Sequence, residues 1–176
     1  MYKLRITADD FGATKSINKA VEVLHQKGIL NYAALMVQGK EVNNALDIIK
    51  RNKNLKVGLH FTITDEISLS NSKSISDKRR NLYSRKNLLL RIFLKRINKI
   101  EIHNELSKQV DFFEENNINL NFINGHQHSH TLPLVRDIII NFAKQKNIYL
   151  RSISQDYRIE RSLKTNLYNL LKFFFY

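Results

Sequence analysis

Two hydrophobic periodicities alternate along this chain, and their order restricts the fold more than any other feature. Leu4, Ile6 and Ala8 alternate as in a strand, and apolar residues at helical spacing across 17–24 lead up to Gly28. Further strands are predicted at residues 32–37, 56–61, 120–123 and 149–153, and further helices at 42–49, 88–97, 103–113, 135–142 and 163–174. Strands that alternate with helices pair in parallel through right-handed crossovers, so the sequence predicts an α/β fold.

The segment from Thr64 to Lys86 interrupts this pattern. Ser, Asn, Asp and basic residues dominate it, and a segment of that length and composition is typical of a surface loop or a mobile lid. We therefore expect a long connection between the third strand and the next helix.

The charge balance and the lack of cysteine narrow the possible chemistry. The 176 residues include 29 Lys and Arg, 16 Asp and Glu, six His and no Cys, giving a formal net charge of +13. Without thiolates, a metal ion would have to be held by histidine, carboxylate or carbonyl groups. Lys, Asn and Ile are abundant along the whole chain, so the basic excess reflects a general composition bias rather than a basic patch on one face. We therefore expect neither a nucleic-acid nor a membrane partner. The first residues contain no apolar region of the signal-peptide kind, so a cytoplasmic location is expected.

Four polar residues that could perform chemistry follow predicted strands. Asp9 and Asp10 come after the first strand, His60 ends the third and His126 follows the fourth. Since parallel strands present their carboxyl ends at one edge of a sheet, these residues are expected to share a site suited to a divalent ion. Each also has a simpler interpretation, because an Asp pair often caps a helix and a histidine at a strand end often makes only a structural hydrogen bond.

The segment His126–His130 carries three histidines spaced by two. In an extended chain this spacing turns all three rings to one side, where protonated rings would repel each other unless a metal ion or a carboxylate joined them. The spacing is similar to the HxHxDH motif of metallo-β-lactamase-type hydrolases, but the Asp of that motif is absent. The DFG sequence at 10–12 is also similar to the kinase magnesium motif, but the other kinase motifs are missing, which excludes that class.

Four blocks of the sequence are similar to one known family. In order, they read ITADDFGATKSINKAV, GILNYAALMVQG, VGLHFTIT and INGHQHSHTLP. Over about residues 3–150 they resemble the YdjC-like carbohydrate deacetylases, relatives of chitooligosaccharide deacetylase. The resemblance implies a metal-dependent hydrolase that removes acetyl groups from N-acetylated amino sugars on a distorted (β/α) barrel.

The resemblance also implies a role for each residue of the predicted site. Asp10, His60 and His126 match the metal ligands of the family, and Asp9 matches its catalytic base. A divalent ion, Mg²⁺ or Zn²⁺, held by two histidines and one carboxylate keeps positions open for water and a substrate oxygen, so it can acidify the water and polarise the amide.

The histidine-rich segment contains further candidates and two departures from the family pattern. His128 and His130 are the candidate donors of a proton to the leaving amine, and their alternative role is to orient the metal ligands through hydrogen bonds. The family block carries another histidine where this chain has Gln127, and an Asp-Ser pair where it has Asn124 and Gly125. The second change removes a carboxylate that would orient a ligand.

The chain is short for the fold that the resemblance implies. A closed (β/α) barrel needs about 200 residues or more, whereas about five βα units are visible here. We therefore predict a single deacetylase domain over residues 1–176, with a (β/α)-barrel-like fold that lacks the C-terminal part of the barrel. An unclosed sheet exposes an apolar edge, so a homo-oligomer is expected.

Three functional hypotheses follow. The first is an active deacetylase with an acetylated sugar or oligosaccharide as its substrate. The second is a shortened, metal-binding but inactive relative that serves as an interaction module. The third is a basic nucleic-acid binder, although the chain lacks the interleaved aromatic and basic residues of single-strand binders. The ligand set is also that of iron oxygenases, so the identity of the ion stays open.

Overall fold

The structure, a computed structural model, describes residues 5–151 of the chain. One sheet contains the strands β1 (Thr7–Phe11), β2 (Tyr32–Leu35), β3 (Lys56–Phe61), β4 (Phe122–Gly125) and β5 (Tyr149–Leu150). Neighbouring strands are parallel and lie in the same order as in the sequence. The predicted α/β fold with parallel strands is confirmed, and this progressive order is the one found in (β/α) barrels.

Helices connect the strands and cover the sheet. Within residues 5–151 they are α1 (Lys15–Gln26), α2 (Val42–Arg51), α3 (Arg85–Phe93), α4 (Lys99–Glu115) and α5 (Val135–Gln145), with a 3₁₀ helix at His126–Thr131. Each α-helix contributes buried apolar side chains to a core that it shares with the strands. None of these helices combines the length and the apolar character needed to cross a membrane. The helix predicted at 163–174 and the last residues of the strand predicted at 149–153 lie outside the described residues.

The first helix extends two residues beyond the predicted segment 17–24 at each end, and Gly28 follows it as the sequence indicates. Thr14 Oγ1 accepts a hydrogen bond from Ile17 N at 3.2 Å, and Gly28 follows the helix with a φ of +72°, a conformation that is free of steric cost only for glycine. Because Thr14 caps α1, Asp9 and Asp10 do not, and the capping interpretation of that pair is wrong.

The connection between β3 and α3 is folded against the rest of the protein. Short bridges pair Ile67 with Asn81 and Ser76 with Leu82, and Ile75 is fully buried. The prediction of a long segment without regular structure is confirmed. Much of it is not a surface loop, however, because Ile75, Leu82 and several of its serine side chains are buried.

Candidate metal centre

The ends of β1, β3 and β4 bring one carboxylate and two imidazoles together. Asp10 Oδ1 lies 3.0 Å from His60 Nε2 and 2.9 Å from His126 Nδ1. One potential ligand atom of each residue lies within 4.8 Å of the others, so a single cation could contact all three. Asp10 and His126 are 116 positions apart in the sequence, and their approach follows from the parallel arrangement of the strands.

The chemistry of this donor set fits a divalent cation. Hydrogen bonds from His126 and from His60, in that order, hold the pKa of Asp10 well below its usual range, so the carboxylate is charged at neutral pH. Two imidazole nitrogens approach the same carboxylate oxygen. Histidine and carboxylate together are ligands that Zn²⁺ accepts, and carboxylate also suits Mg²⁺.

An irregularity in β1 turns two neighbouring carboxylates toward the same edge of the sheet. The register with β2 shifts between Ala8 and Phe11, and Asp10 has a φ of +56°, which is uncommon for a residue other than glycine. Neighbouring side chains of a regular strand point to opposite faces. Here Asp9 and Asp10 both reach residues at the end of β4, a distortion of the kind that recurs at functional sites.

A buried asparagine fixes the turn that follows these carboxylates. Gly12 has a φ of +98°, and its N–H donates to Asn18 Oδ1 at 2.7 Å. The side-chain amide of Asn18 in turn donates to the Glu41 carbonyl at 2.9 Å. The end of β1 is thereby tied to α1 and to the start of α2.

Asn124 connects the candidate ligand His60 to Asp9. Its Nδ2 donates to Asp9 Oδ1 at 2.7 Å, and its Oδ1 lies 2.7 Å from His60 Nδ1. Because the amide group faces a carboxylate on one side, its oxygen faces the imidazole on the other, and His60 Nδ1 must be the donor. His60 Nε2, which faces Asp10, is therefore the nitrogen of this ring that would bind a cation, in place of its hydrogen bond to Asp10. The amide thus performs the orienting role that the carboxylate of the family pattern was expected to have.

Arg151 is a site residue that the sequence analysis overlooked. Its Nη1 lies 3.1 Å from both oxygens of Asp9. Arg151 directly follows β5 in the structure. The sequence placed it inside a strand predicted at 149–153, so the rule that identified His60 and His126 at strand ends missed it. Asp9 is held between Arg151 and Asn124, and its side chain remains 37% exposed, which leaves the carboxylate accessible to water.

The three histidines of the HxHxH segment do not point to one side, so the extended conformation predicted for them is wrong. The strand ends at Gly125, and the chain enters the 3₁₀ helix, with Gln127 and His128 at φ values of +49° and +54°. His126 reaches Asp10, whereas His128 is exposed and His130 is buried. A spacing of two residues indicates a shared side only while the strand continues, and the sequence did not reveal where it stops.

The His130 ring is enclosed in an environment that disfavours its charged form. The residue is 4% exposed, and neither ring nitrogen has a hydrogen-bond partner of ordinary geometry within residues 5–151. Burial first, and then the charges of His128 and His60, lower the pKa of His130 to about 4, which the backbone of Arg151 opposes only weakly. At neutral pH the His130 ring is therefore uncharged.

Acidification is expected to destabilise the fold through His130. The pKa of this ring is about 4 in the folded protein and 6.5 in the unfolded chain, so between these values the unfolded chain binds an extra proton and stability falls as the pH falls. Between these two pH values the free energy of unfolding falls by about 3 kcal/mol.

Urea denaturation at a series of pH values measures this decrease in the free energy of unfolding. His130→Leu should remove this part of the pH dependence and the exposed control His103→Gln should not; an unchanged pH dependence in His130→Leu would refute the assignment.

Curated relatives of this chain are described as carbohydrate deacetylases. One from Vibrio parahaemolyticus is 27% identical over 155 residues, covering 85% of this chain and 58% of the relative. Another from Clostridium beijerinckii is 30% identical over 152 residues, covering 86% of this chain and 60% of the relative. This chain therefore spans less than two thirds of the length of the relatives that it matches.

Known structures and families give two further results. A solved structure from Enterococcus faecalis, provisionally described as a cellobiose-phosphate cleavage protein, matches with a TM-score of 0.74 at 21% identity, covering 95% of this chain and 62% of that one. This likeness supports the fold. The family model of the YdjC-like proteins matches residues 3–174. Because that match includes almost the whole sequence, the chain belongs to the YdjC-like protein family.

Proposed function

We propose that this protein is a metal-dependent carbohydrate deacetylase that hydrolyses the acetamide group of N-acetylated amino sugars or their oligosaccharides. The observation that carries the proposal is the convergence of Asp10, His60 and His126 at one point, with a second carboxylate, Asp9, beside them. The description of the relatives as carbohydrate deacetylases supports the substrate class.

Asp10, His60 and His126 would hold the divalent ion, Mg²⁺ or Zn²⁺. When bound, such an ion lowers the pKa of a water molecule and polarises a carbonyl oxygen. The hydrogen bond that His60 Nδ1 donates to Asn124 Oδ1 keeps Nε2 as the nitrogen that can act as a ligand.

Asp9 is the proposed general base. It is not a member of the ligand set, and its carboxylate is fixed by Asn124 and Arg151. The partial exposure of Asp9 lets a water molecule reach it. Asp9 would take the proton of that water as the oxygen attacks the acetyl carbon.

His128 is the better of the two candidates for donating a proton to the leaving amine. It is exposed, whereas His130 is buried and uncharged at neutral pH because its pKa is about 4. The centroids of the two rings lie 6.2 Å apart, so His130 is placed to help orient the His128 ring.

The inactive interaction module is the alternative, and no observation in the described residues favours it over the enzyme. Self-association stays a prediction. The residues assigned to the candidate site all belong to one chain and lie between Asp9 and Arg151.

Acetate release from N-acetylglucosamine oligomers tests the proposed function. We expect one free amine for each acetate released, loss of the activity after treatment with a chelator, and recovery when Mg²⁺ or Zn²⁺ is added. The exposed histidine His103, which lies outside the site, provides the control variant His103→Gln, which should keep full activity. A folded protein that binds the ion but releases no acetate from any acetylated sugar would overturn the proposal and favour the interaction module.

A further inference from the structure

A fully buried carboxylate anchors the connection that follows the ligand His60. Glu105 on α4 is 0% exposed, and no ion pair involving it is found in the described part of the chain. Its Oε2 lies 2.6 Å from the hydroxyls of Ser68 and Ser70. The backbone N–H groups of Leu69 and Ser70 donate to its two oxygens at 3.0 and 2.9 Å. The whole segment 68–70 is thus folded around one side chain.

Two glutamines extend these contacts from Glu105 to the end of β3. Gln109 Nε2 donates to Glu105 Oε1 at 3.0 Å and to the Thr62 carbonyl at 2.6 Å, while Gln109 Oε1 accepts from Thr62 N at 3.0 Å. Gln38 Nε2 lies 3.2 Å from the same two acceptors. Thr62 directly follows the last residue of β3. Gln109 on α4 and Gln38, which follows β2, therefore bind the Thr62 backbone just beyond the end of β3.

Thr62 connects this cluster to the metal centre. Its hydroxyl donates to the His60 carbonyl at 2.8 Å. Further along the same loop, Thr64 Oγ1 and Asp65 Oδ2 contact the Gln127 side chain at 3.3 and 3.0 Å. Gln127 is the residue after the second histidine ligand. The loop at 62–70 is therefore fixed on Glu105 and touches both segments that carry the imidazoles.

We infer that Glu105 is a positioning residue of the metal centre. Through Gln109, Gln38 and Thr62 it holds the end of β3 and the loop at 62–70, and so it sets the distance between His60 and the other ligands. The inference rests on the proposed function, since the ion concerned is the one expected at that site. A carboxylate is needed at this position because the hydroxyl and N–H groups around it require an acceptor.

The substitution Glu105→Gln tests this role with little change in side-chain volume. The new NH₂ group would face N–H and hydroxyl groups that need an acceptor, so the loop and Thr62 should shift. We expect the affinity for Zn²⁺, measured by titration calorimetry below the unfolding temperature, to fall about tenfold, as for groups that orient ligands from outside the ligand set. The visible absorption of bound Co²⁺ should change as well, since it reports ligand geometry.

Leu106→Ala is the matched control. Leu106 is the next residue on α4, is also 0% exposed and belongs to the apolar core. Its truncation should lower stability and leave Zn²⁺ affinity within twofold of the original protein. If both variants weaken Zn²⁺ binding equally, Glu105 acts only through stability and the inference is wrong. If Glu105→Gln does not fold, Thr62→Val removes the contact with the His60 carbonyl, and an unchanged Zn²⁺ affinity in that variant would equally overturn it.

His126→Ala separates failure of this inference from failure of the proposed function. If the original protein binds no Zn²⁺, or binds it equally well after His126→Ala, both the proposed metal centre and the positioning role of Glu105 are refuted. If that site exists and Glu105→Gln binds Zn²⁺ as the original protein does, only the positioning role is refuted.

Discussion

Replacing Asp9 by Asn is expected to lower the turnover number for deacetylation by a factor of about 10² to 10⁴, the range typical of a lost general base. The affinity for the divalent ion should stay within a few-fold, because Asp9 contacts Asn124 and Arg151 rather than the ligands. The amide keeps the shape of the side chain but cannot take a proton from water. Initial rates of acetate release and Zn²⁺ titration on the same preparation measure the two quantities.

A fully active Asp9→Asn variant would show that another group accepts the proton. A variant that loses the ion instead would show that Asp9 belongs to the ligand set, contrary to the assignment made from the geometry. Circular dichroism of the variant should match that of the original protein, since Asp9 lies at the surface of the site.

The same substitution one residue later is expected to weaken metal binding strongly, unlike Asp9→Asn. Asp10→Asn should lower the affinity for the ion by more than about 100-fold, exceeding the usual effect of removing an orienting group, and acetate release should fall to background. Asp10 is the only anion among the three candidate ligands. Asn tolerates a positive φ as well as Asp does, so the backbone at φ +56° should be preserved.

The two adjacent variants are controls for each other. Both replace a carboxylate by an amide in β1, so any general effect on folding should be shared. Retention of normal Zn²⁺ affinity by Asp10→Asn would eliminate Asp10 as a ligand, and the proposed metal centre with it. Equilibrium dialysis with Zn²⁺ provides a second measurement that does not depend on the heat of binding.

The positions of the three candidate ligands could be predicted because they depend on topology alone. Asp10 and His60 lie near the ends of β1 and β3, His126 follows β4, and parallel strands end at the same edge of the sheet. The backbone conformations at Asp10 and His128 could not be predicted, since periodicity does not indicate where a chain enters the left-handed region. For this reason the common direction expected for the HxHxH rings was wrong, although the first of these histidines does reach Asp10.

The buried polar cluster gave a signal in the sequence that was not used. Glu105 and Gln109 lie four residues apart on α4, on the face that also buries Leu106 and Val110. Two polar residues on an otherwise apolar helical face must find partners inside the protein. Gln109 binds Glu105 and the Thr62 backbone. Glu105 binds the serines of a segment whose composition suggested exposure to solvent, and only the folded chain shows that those hydroxyls point inward.

The contact between Arg151 and Asp9 has a geometric consequence for the sheet. Arg151 follows β5 and Asp9 lies on β1, the two outer strands. In a flat sheet, four inter-strand spacings would separate these strands by about 19 Å, much more than an arginine side chain can span. The sheet must therefore be curved, so that β1 and β5 approach each other at the end where Arg151 contacts Asp9, the proposed base. Separating β1 from β5 would break this contact and release the Asp9 carboxylate from Arg151.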